Sequence, residues 1–238
     1  IDAMKEATAN DFHVDFFDRN RVATWVRTHP SLILWVRGKI GRSLTGWQPY
    51  GNWAKPVGGT DEEYLIDDGL RLRDDTQNHD PKTSIQDGMA RIRQRLIQPK
   101  ASIRLVGLSG VGKTRLVQAL FDNRIGENAL PQNVIFYTDM SDSPNPSPEQ
   151  LADQLVAENA RAILIVDNCS PELHKKLSFT CSSQNSHLSL LTVEYDVRNE
   201  DFSDETNVFH LEPSSDGLIT KLILKRFSHI SQVDAGTI

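Results

Sequence analysis

The stretch "VGLSGVGKTRLVQALF", residues 106–121, constrains the fold of this chain more than any other feature. Within it, Gly107, Gly112, Lys113 and Thr114 fit the spacing G-x4-G-K-T of a phosphate-binding loop. Small residues let the backbone curl, so that successive N–H groups point inward at a phosphate. An apolar strand is predicted before the loop and an amphipathic helix after it. The stretch therefore predicts a strand–loop–helix unit that binds a nucleotide.

Each part of this stretch has its own task if it binds a nucleotide. Lys113 can reach the β and γ phosphates as a catalytic cation, and the Thr114 hydroxyl can bind Mg²⁺. The helix that begins at Lys113 adds the positive end of its dipole. A glycine-rich helix cap is the alternative, but the flanking strand and helix favour nucleotide binding. The residues predicted to contact ATP are Gly107, Leu108, Ser109, Gly110, Val111, Gly112, Lys113, Thr114 and Arg115.

Three other motifs are excluded by the residues present. A dinucleotide fingerprint needs a glycine where Arg115 stands. A nucleophile elbow of the form G-x-S-x-G needs a glycine where Val111 stands. A GTPase would carry an N-K-x-D motif after its later strands, and the chain has none.

An aspartate ends the apolar run "RAILIVDN", residues 161–168, which predicts a strand buried on both faces. Asp167, at the C-terminal tip of that strand, would point into the crevice where ligands of such sheets bind, and it suits a catalytic, magnesium-organising role. An aspartate that caps the next turn is the alternative. Asn168 follows, where many ATPases carry a second acid; an amide can hydrogen-bond water but cannot accept its proton.

A strand predicted over residues 187–198 contributes a further cation. If this strand inserts between the loop strand and the second strand, Arg198 at its tip would face the γ-phosphate and act as a catalytic or sensor-like residue. A surface arginine is the alternative. Glu194 and Asp196 are candidates for the missing second acid, and side-chain alternation places both on one side of the strand.

The chain divides into two predicted regions, with the boundary near Pro99. Residues 1–98 are predicted to be a linker or effector-junction region, small and mainly helical, with a strand pair over residues 63–75. Residues 99–238 are predicted to form an α/β P-loop NTPase core with a five-stranded, mostly parallel sheet. Its strands are predicted at residues 102–107, 133–139, 161–168, 187–198 and 207–213.

The charge and composition of the chain argue against some classes of binding partner. The net charge of −6 argues against a generally basic nucleic-acid binder. Residues 17–42 hold six basic side chains against one aspartate, so a local contact with DNA stays an open alternative, although a solvated helix face is favoured.

Trp25 and Trp35 are predicted to be core residues rather than stacking platforms. Two cysteines without metal-ligand spacing and the lack of an apolar run of ~18 residues predict a cytoplasmic chain without a membrane span.

Three segments, "VGLSGVGKTRLVQALF", "ILIVDNC" and "LLTVEYDVR", together resemble the STAND class of P-loop NTPases over roughly residues 85–238. The sequences of these motifs most resemble those of bacterial antiviral (Avs-type) STAND proteins, which couple recognition of phage components to an effector. The resemblance implies an ATPase that works as an ATP-dependent oligomerisation switch. It implies Gly107 to Thr114 as Walker A, Asp167 as Walker B, Arg198 as a sensor-like residue, and Mg²⁺ held by Thr114 and Asp167.

The same resemblance sets expectations for partners. It implies self-association through the NTPase core, a phage-protein trigger bound by a C-terminal region, and DNA contacted only through an effector. Residues 15–41 are similar to the junction between a restriction-endonuclease-like effector and the NTPase in such proteins. We expect a longer protein, because the chain opens within a helical pattern and stops before the lid, winged helix and sensor repeats of the class.

Two alternatives stay open beside the switch. One is an AAA-type motor or loader ATPase, and the other is a nucleotide-binding scaffold whose hydrolysis is vestigial, which Asn168 favours. Hydrolysis by this chain alone is predicted to be slow, because Asn168 offers no proton acceptor and an arginine from a lid or neighbouring subunit is missing. Residues 1–98 are expected to connect and pack, with a helix over residues 84–97 beside the nucleotide.

Overall fold

The computed structural model describes residues 18–54, 64, 69–74, 83–194, 207–213 and 216–226. Eight helices lie in these ranges: α1 (Arg19–Thr28), α2 (Leu32–Lys39), α3 (Tyr50–Trp53), α4 (Ile85–Leu96), α5 (Lys113–Ala119), α6 (Pro148–Ala157), α7 (Pro171–Ser182) and α8 (Asp216–Arg226). The same ranges hold eight strands: β1 (Trp47–Gln48), β2 (Arg71–Asp74), β3 (Thr83–Ser84), β4 (Ser102–Val106), β5 (Ile135–Asp139), β6 (Ile163–Asp167), β7 (Ser189–Val193) and β8 (Asn207–Leu211).

The described strands form one sheet in the order β1-β5-β6-β7-β4-β8-β2-β3. Neighbours from β5 to β8 in that order pair in parallel, whereas β1, β2 and β3 pair antiparallel. The predicted α/β class is confirmed. The sheet differs from the predicted one because it is mixed and holds eight described strands rather than five. The additional strands come from residues 47–84 and extend both edges.

The central strands are largely apolar because helices cover both faces of the sheet. In β6, Ile163 and Ile165 face a core built with α3, α4 and α5, whereas Leu164 and Val166 face a second core built with α6 and α7. The helix that follows β4 thus covers one face, and the helices that follow β5 and β6 cover the other. In such sheets ligands bind in the crevice at the C-terminal strand ends where the connections change face.

Helix ends follow the local sequence closely. At the start of α6, Ser147 and Gln150 form a capping box and Pro148 occupies the first turn, where its missing N–H costs nothing. The Ser84 side chain accepts a hydrogen bond from the backbone N–H of Asp87 and so caps α4. None of the described helices is both long and apolar enough to cross a bilayer.

The N-terminal helices differ from the prediction in the exposure of two tryptophans. Trp47 and Trp53 are buried, but Trp25 and Trp35 expose 47% and 56% of their surface. The prediction that Trp25 and Trp35 are core residues is therefore wrong. The physical reason is that α2 turns Leu34, rather than its neighbour Trp35, into the core, while α1 buries none of its described residues.

The predicted strand pair over residues 63–75 is only partly within the described residues. Its second half is β2, which pairs with β3 and with β8. Residues 63 and 65–68, the first half of the pair, lie outside the described residues. The division of the chain near Pro99 stays a prediction.

Candidate functional site

The glycine loop connects the C-terminal end of β4 to the start of α5. Gly107, Gly110 and Gly112 have φ values of 148°, 79° and 95°, which L side chains rarely adopt. At Gly107 an added Cβ would also lie 2.5 Å from the carbonyl oxygen of Leu211 at the end of β8. The loop thus needs glycine for two reasons: a left-handed backbone and a close approach to the neighbouring strand.

Lys113, the first residue of α5, folds back over this loop. Its Nζ donates hydrogen bonds to the carbonyl oxygens of Gly107 and Leu108, each at 2.7 Å. Burial lowers the pKa of the Lys113 ammonium, and the nearby Asp167 carboxylate partly opposes that shift. The ammonium therefore lies inside the loop, where a phosphate oxygen would be a stronger, anionic acceptor than either carbonyl.

Thr114 and Asp167 are brought together as predicted for a magnesium site. The Thr114 hydroxyl donates a 2.7 Å hydrogen bond to Oδ2 of Asp167 at the tip of β6. The backbone N–H of Asn168 donates to the other carboxylate oxygen at 2.9 Å. Burial raises the pKa of Asp167, while the hydrogen bond from Thr114 acts in the opposite direction.

These oxygens suit Mg²⁺ as part of its ligand set. Mg²⁺ in phosphate-transfer sites takes one or two carboxylates from the protein and completes its octahedron with phosphate oxygens and water. Among the residues that the structure describes, no group of three or more His, Cys, Asp or Glu side chains could hold a metal by itself. Thr114 and Asp167 supply two oxygens, so a Mg²⁺ bound there would take its remaining ligands from phosphate and water.

The arrangement required for Arg198 is partly present. Strand β7 lies between β4 and β6, as the prediction for that arginine required. Arg198 and Asp196 themselves lie outside the described residues. Arg115 is described, and its guanidinium stacks 3.9 Å from the ring centroid of Tyr64 and donates to Gln118. Its side chain thus contacts the N-terminal region, and its role in ATP binding stays a prediction.

A second carboxylate near Asp167 was missed by reasoning from the sequence. Asp139 ends β5 and is the register partner of Asp167. The Asn168 side-chain amide donates to both Asp139 carboxylate oxygens, at 2.9 and 3.0 Å. Burial alone would raise the pKa of Asp139, but hydrogen bonds from Asn168 and Ser141 outweigh it and lower that pKa. The sequence carries one signal for Asp139, an aspartate at the end of a largely apolar strand, but this signal does not show that β5 lies beside β6.

Glu194, the other proposed substitute acid, belongs to a buried network instead. Its carboxylate accepts hydrogen bonds from Nε and Nη2 of Arg104 at 3.1 and 2.5 Å, and both side chains are 2% exposed. The Thr192 hydroxyl donates to the same carboxylate at 2.9 Å. Arg104 alternates along β4 with Ile103 and Leu105, which face α5, so this pair lies on the opposite face, under α7.

His174 of α7 completes this network and makes it sensitive to acid. Its Nδ1 lies 2.8 Å from the Thr192 hydroxyl and its Nε2 lies 3.4 Å from the Ser102 hydroxyl. Since Thr192 donates to Glu194, its oxygen accepts from His174, which places the proton of the neutral ring on Nδ1. Burial, reinforced by the charge of Arg104, lowers the pKa of His174 to about 3.

We therefore expect the folded protein to lose stability as the pH falls from about 6.5 towards 3. The unfolded chain binds the His174 proton in this window and the folded chain does not, so the free energy of unfolding should fall by up to about 1.4 kcal/mol per pH unit. Urea unfolding at pH 7, 5 and 4 measures the slope. His174→Gln should flatten it, whereas His187→Gln, at an exposed histidine, should not; equal slopes in all three proteins would contradict the prediction.

No protein-family model matches this chain, and no curated protein matches it.

Proposed function

We propose that this chain is a Mg-ATP-binding and ATP-hydrolysing switch of the STAND type, which controls an effector in antiviral defence through ATP-dependent oligomerisation. The observation that carries the proposal is the 2.7 Å hydrogen bond from Thr114 to Asp167. This bond joins the helix after the glycine loop to the carboxylate of a separate strand, which is what a phosphate-bound Mg²⁺ requires. The parallel pairing from β5 to β8 supports a P-loop NTPase core over residues 99–238.

The residues of the loop divide the work of binding ATP. Backbone N–H groups of residues 107–115 would surround the phosphates, and Lys113 would exchange its loop carbonyls for phosphate oxygens. Thr114 and Asp167 would hold Mg²⁺, which neutralises charge on the phosphates when bound. The cytoplasm, where ATP and Mg²⁺ are supplied, is the proposed location. Self-association through the core, a phage-protein trigger and DNA reached only through an effector rest on the resemblance to STAND proteins.

Lys113→Ala should weaken ATP binding by roughly 10- to 150-fold, because one charge-assisted contact with phosphate contributes about 1.5–3 kcal/mol. Isothermal titration calorimetry with ATP and Mg²⁺ measures the affinity. Lys175→Ala removes an exposed lysine from α7 and serves as the control. Thermal unfolding without nucleotide checks that the Lys113 variant is folded. Equal ATP affinity for the wild type and the folded Lys113 variant would show that the loop does not bind phosphate.

Hydrolysis by the chain alone should be well below about 1 s⁻¹. An arginine supplied by a lid or a neighbouring subunit contributes about 10³–10⁵ to the rate in related chemistry. Release of inorganic phosphate at saturating ATP measures the turnover. A turnover of several per second at a protein concentration too low for self-association would contradict this prediction.

A further inference from the structure

The carboxylate of Asp139 stands beside the candidate magnesium site with no task assigned so far. We propose that Asp139 is the catalytic base that orients and deprotonates the water attacking ATP, and that Asn168 is its positioning residue. The inference rests on the proposed ATPase function. The second acid of the site then comes from β5, the strand beside β6, and not from position 168, which follows Asp167 in sequence.

The register of the sheet places Asp139 at the same end of the parallel strands as Asp167 and on the same face of the sheet. Asp139 pairs with Asp167 across β5 and β6, so both carboxylates end parallel strands at the same edge. Tyr137 lies two residues earlier on the same face of β5, and its hydroxyl contacts Asp167 at 3.4 Å. The face that carries Asp139 is therefore the face of Asp167 and of α5, where the glycine loop ends.

Asn168 holds this carboxylate in one orientation. Its amide donates to both oxygens of Asp139, and it adopts an unusual φ of 52° directly after Asp167. The Ser141 backbone N–H and hydroxyl add hydrogen bonds of 2.8 and 2.7 Å to Oδ1 of Asp139. Oδ1 receives three of these four contacts and Oδ2 receives only one, so Oδ2 keeps a lone-pair direction for a water. An amide at position 168 cannot act as a base, but it can fix one.

The other two candidate acids differ from Asp139 in their partners or in their position. Asp167 accepts from Thr114 and from the backbone of Asn168. Glu194 accepts two hydrogen bonds from Arg104 on the opposite face of the sheet. Asp139 is half-buried rather than enclosed, so water can reach it. Among the described residues at this edge, it is the acid best placed to accept a proton.

The step balances as a hydrolysis. The water oxygen forms a bond to the γ-phosphorus while the bond from that phosphorus to the β–γ bridging oxygen breaks. The electron pair of the broken bond stays on the oxygen of ADP. One water proton passes to the Asp139 carboxylate and from there to solvent, and the products are ADP and inorganic phosphate.

Asp139→Asn should slow single-turnover hydrolysis by about 10²- to 10⁴-fold, the usual contribution of a general base. ATP affinity measured by calorimetry should stay within about twofold of the wild type. The asparagine side chain has nearly the shape of aspartate, and the substitution leaves Thr114 and Asp167 in place. Asp142→Asn removes an exposed acid three residues away and should hydrolyse ATP at the wild-type rate.

The outcomes separate the two proposals. Wild-type protein that does not bind ATP would overturn the proposed function. Wild-type protein that binds ATP without hydrolysing it would overturn the hydrolytic part of the proposed function together with the role of Asp139. An Asp139→Asn variant that hydrolyses at the wild-type rate would overturn the role of Asp139 alone. If extra Mg²⁺ restores the Asp139→Asn rate, this carboxylate supports the metal and is not the base.

The role of Asn168 is tested through its dependence on Asp139. Asn168→Ala should lower the hydrolysis rate with little change in ATP affinity, and adding it to Asp139→Asn should slow the reaction no further. In nucleotide-free protein, Asp139→Asn should shift the amide resonances of the Asn168 side chain in ¹⁵N spectra, assigned by their loss in Asn168→Ala. Additive rate losses, or resonances that do not shift, would overturn the positioning role.

Discussion

Glu194→Ala should lower the free energy of unfolding by about 3–5 kcal/mol, because it leaves a buried guanidinium without its carboxylate. Arg104 and Glu194 are each 2% exposed and share two hydrogen bonds. The Arg104 side chain is too deeply buried between β4 and α7 for water to replace the Glu194 carboxylate directly. Urea unfolding at pH 7, followed by circular dichroism, measures the change.

Two further variants show whether the loss comes from the stranded charge. Glu127→Ala removes an exposed glutamate and should change the stability by less than about 0.5 kcal/mol. The double variant Arg104→Leu/Glu194→Leu replaces the ion pair with apolar side chains and should recover most of the stability lost in Glu194→Ala. A Glu194→Ala variant as stable as the wild type, or a double variant as unstable as Glu194→Ala, would contradict the prediction.

The sequence predicts the centre of the sheet well because the cause of each strand is local. The strands predicted around residues 102–107 and 161–168 coincide with β4 and β6, whose side chains are buried along their whole length. A strand covered on both faces favours apolar residues at most positions, and such runs are visible without knowledge of partners. The glycine loop is equally local, since its spacing alone specifies the backbone between β4 and α5.

The outermost strands of the sheet cannot be predicted from the sequence, because they form only through pairing with strands elsewhere in the sequence. β1 and β3 have two residues each, too short for any alternation of apolar and polar side chains to be seen. They are strands only because β5 and β2 lie beside them. α7 escapes prediction for a related reason. Its buried side combines His174, Leu177 and Cys181, and only one of these three is strongly apolar.

The candidate site shows the same limit. Asp167 could be found from its own strand, and the pairing of Thr114 with it follows from the loop motif. Asp139 could not be linked to the site in this way, because its place depends on β5 lying in register beside β6. The register also explains why an asparagine can stand at position 168. In the role proposed for Asp139, the second acid comes from the neighbouring strand, and the amide of Asn168 holds that acid.

Gly107→Ala should lower the free energy of unfolding of the nucleotide-free protein by about 2–4 kcal/mol, the sum of backbone strain and overpacking. The φ of 148° at Gly107 is unfavourable for any residue with a Cβ. The new methyl group would also lie 2.5 Å from the carbonyl oxygen of Leu211, which belongs to the backbone of β8 and cannot rotate away. Either the loop or the end of β8 must move.

Gly110→Ala is the matched control for this change. Gly110 has a φ of 79°, but a Cβ added there meets no atom within 4 Å. It should therefore show the cost of the left-handed backbone alone, about 1–2 kcal/mol. Urea unfolding of both variants without nucleotide gives the two costs, and their difference reports the collision with Leu211 together with the different φ of Gly107. Equal destabilisation by the two substitutions would show that β8 does not constrain the loop. In that case Gly107 would be needed for backbone conformation and not for the close approach of the two strands.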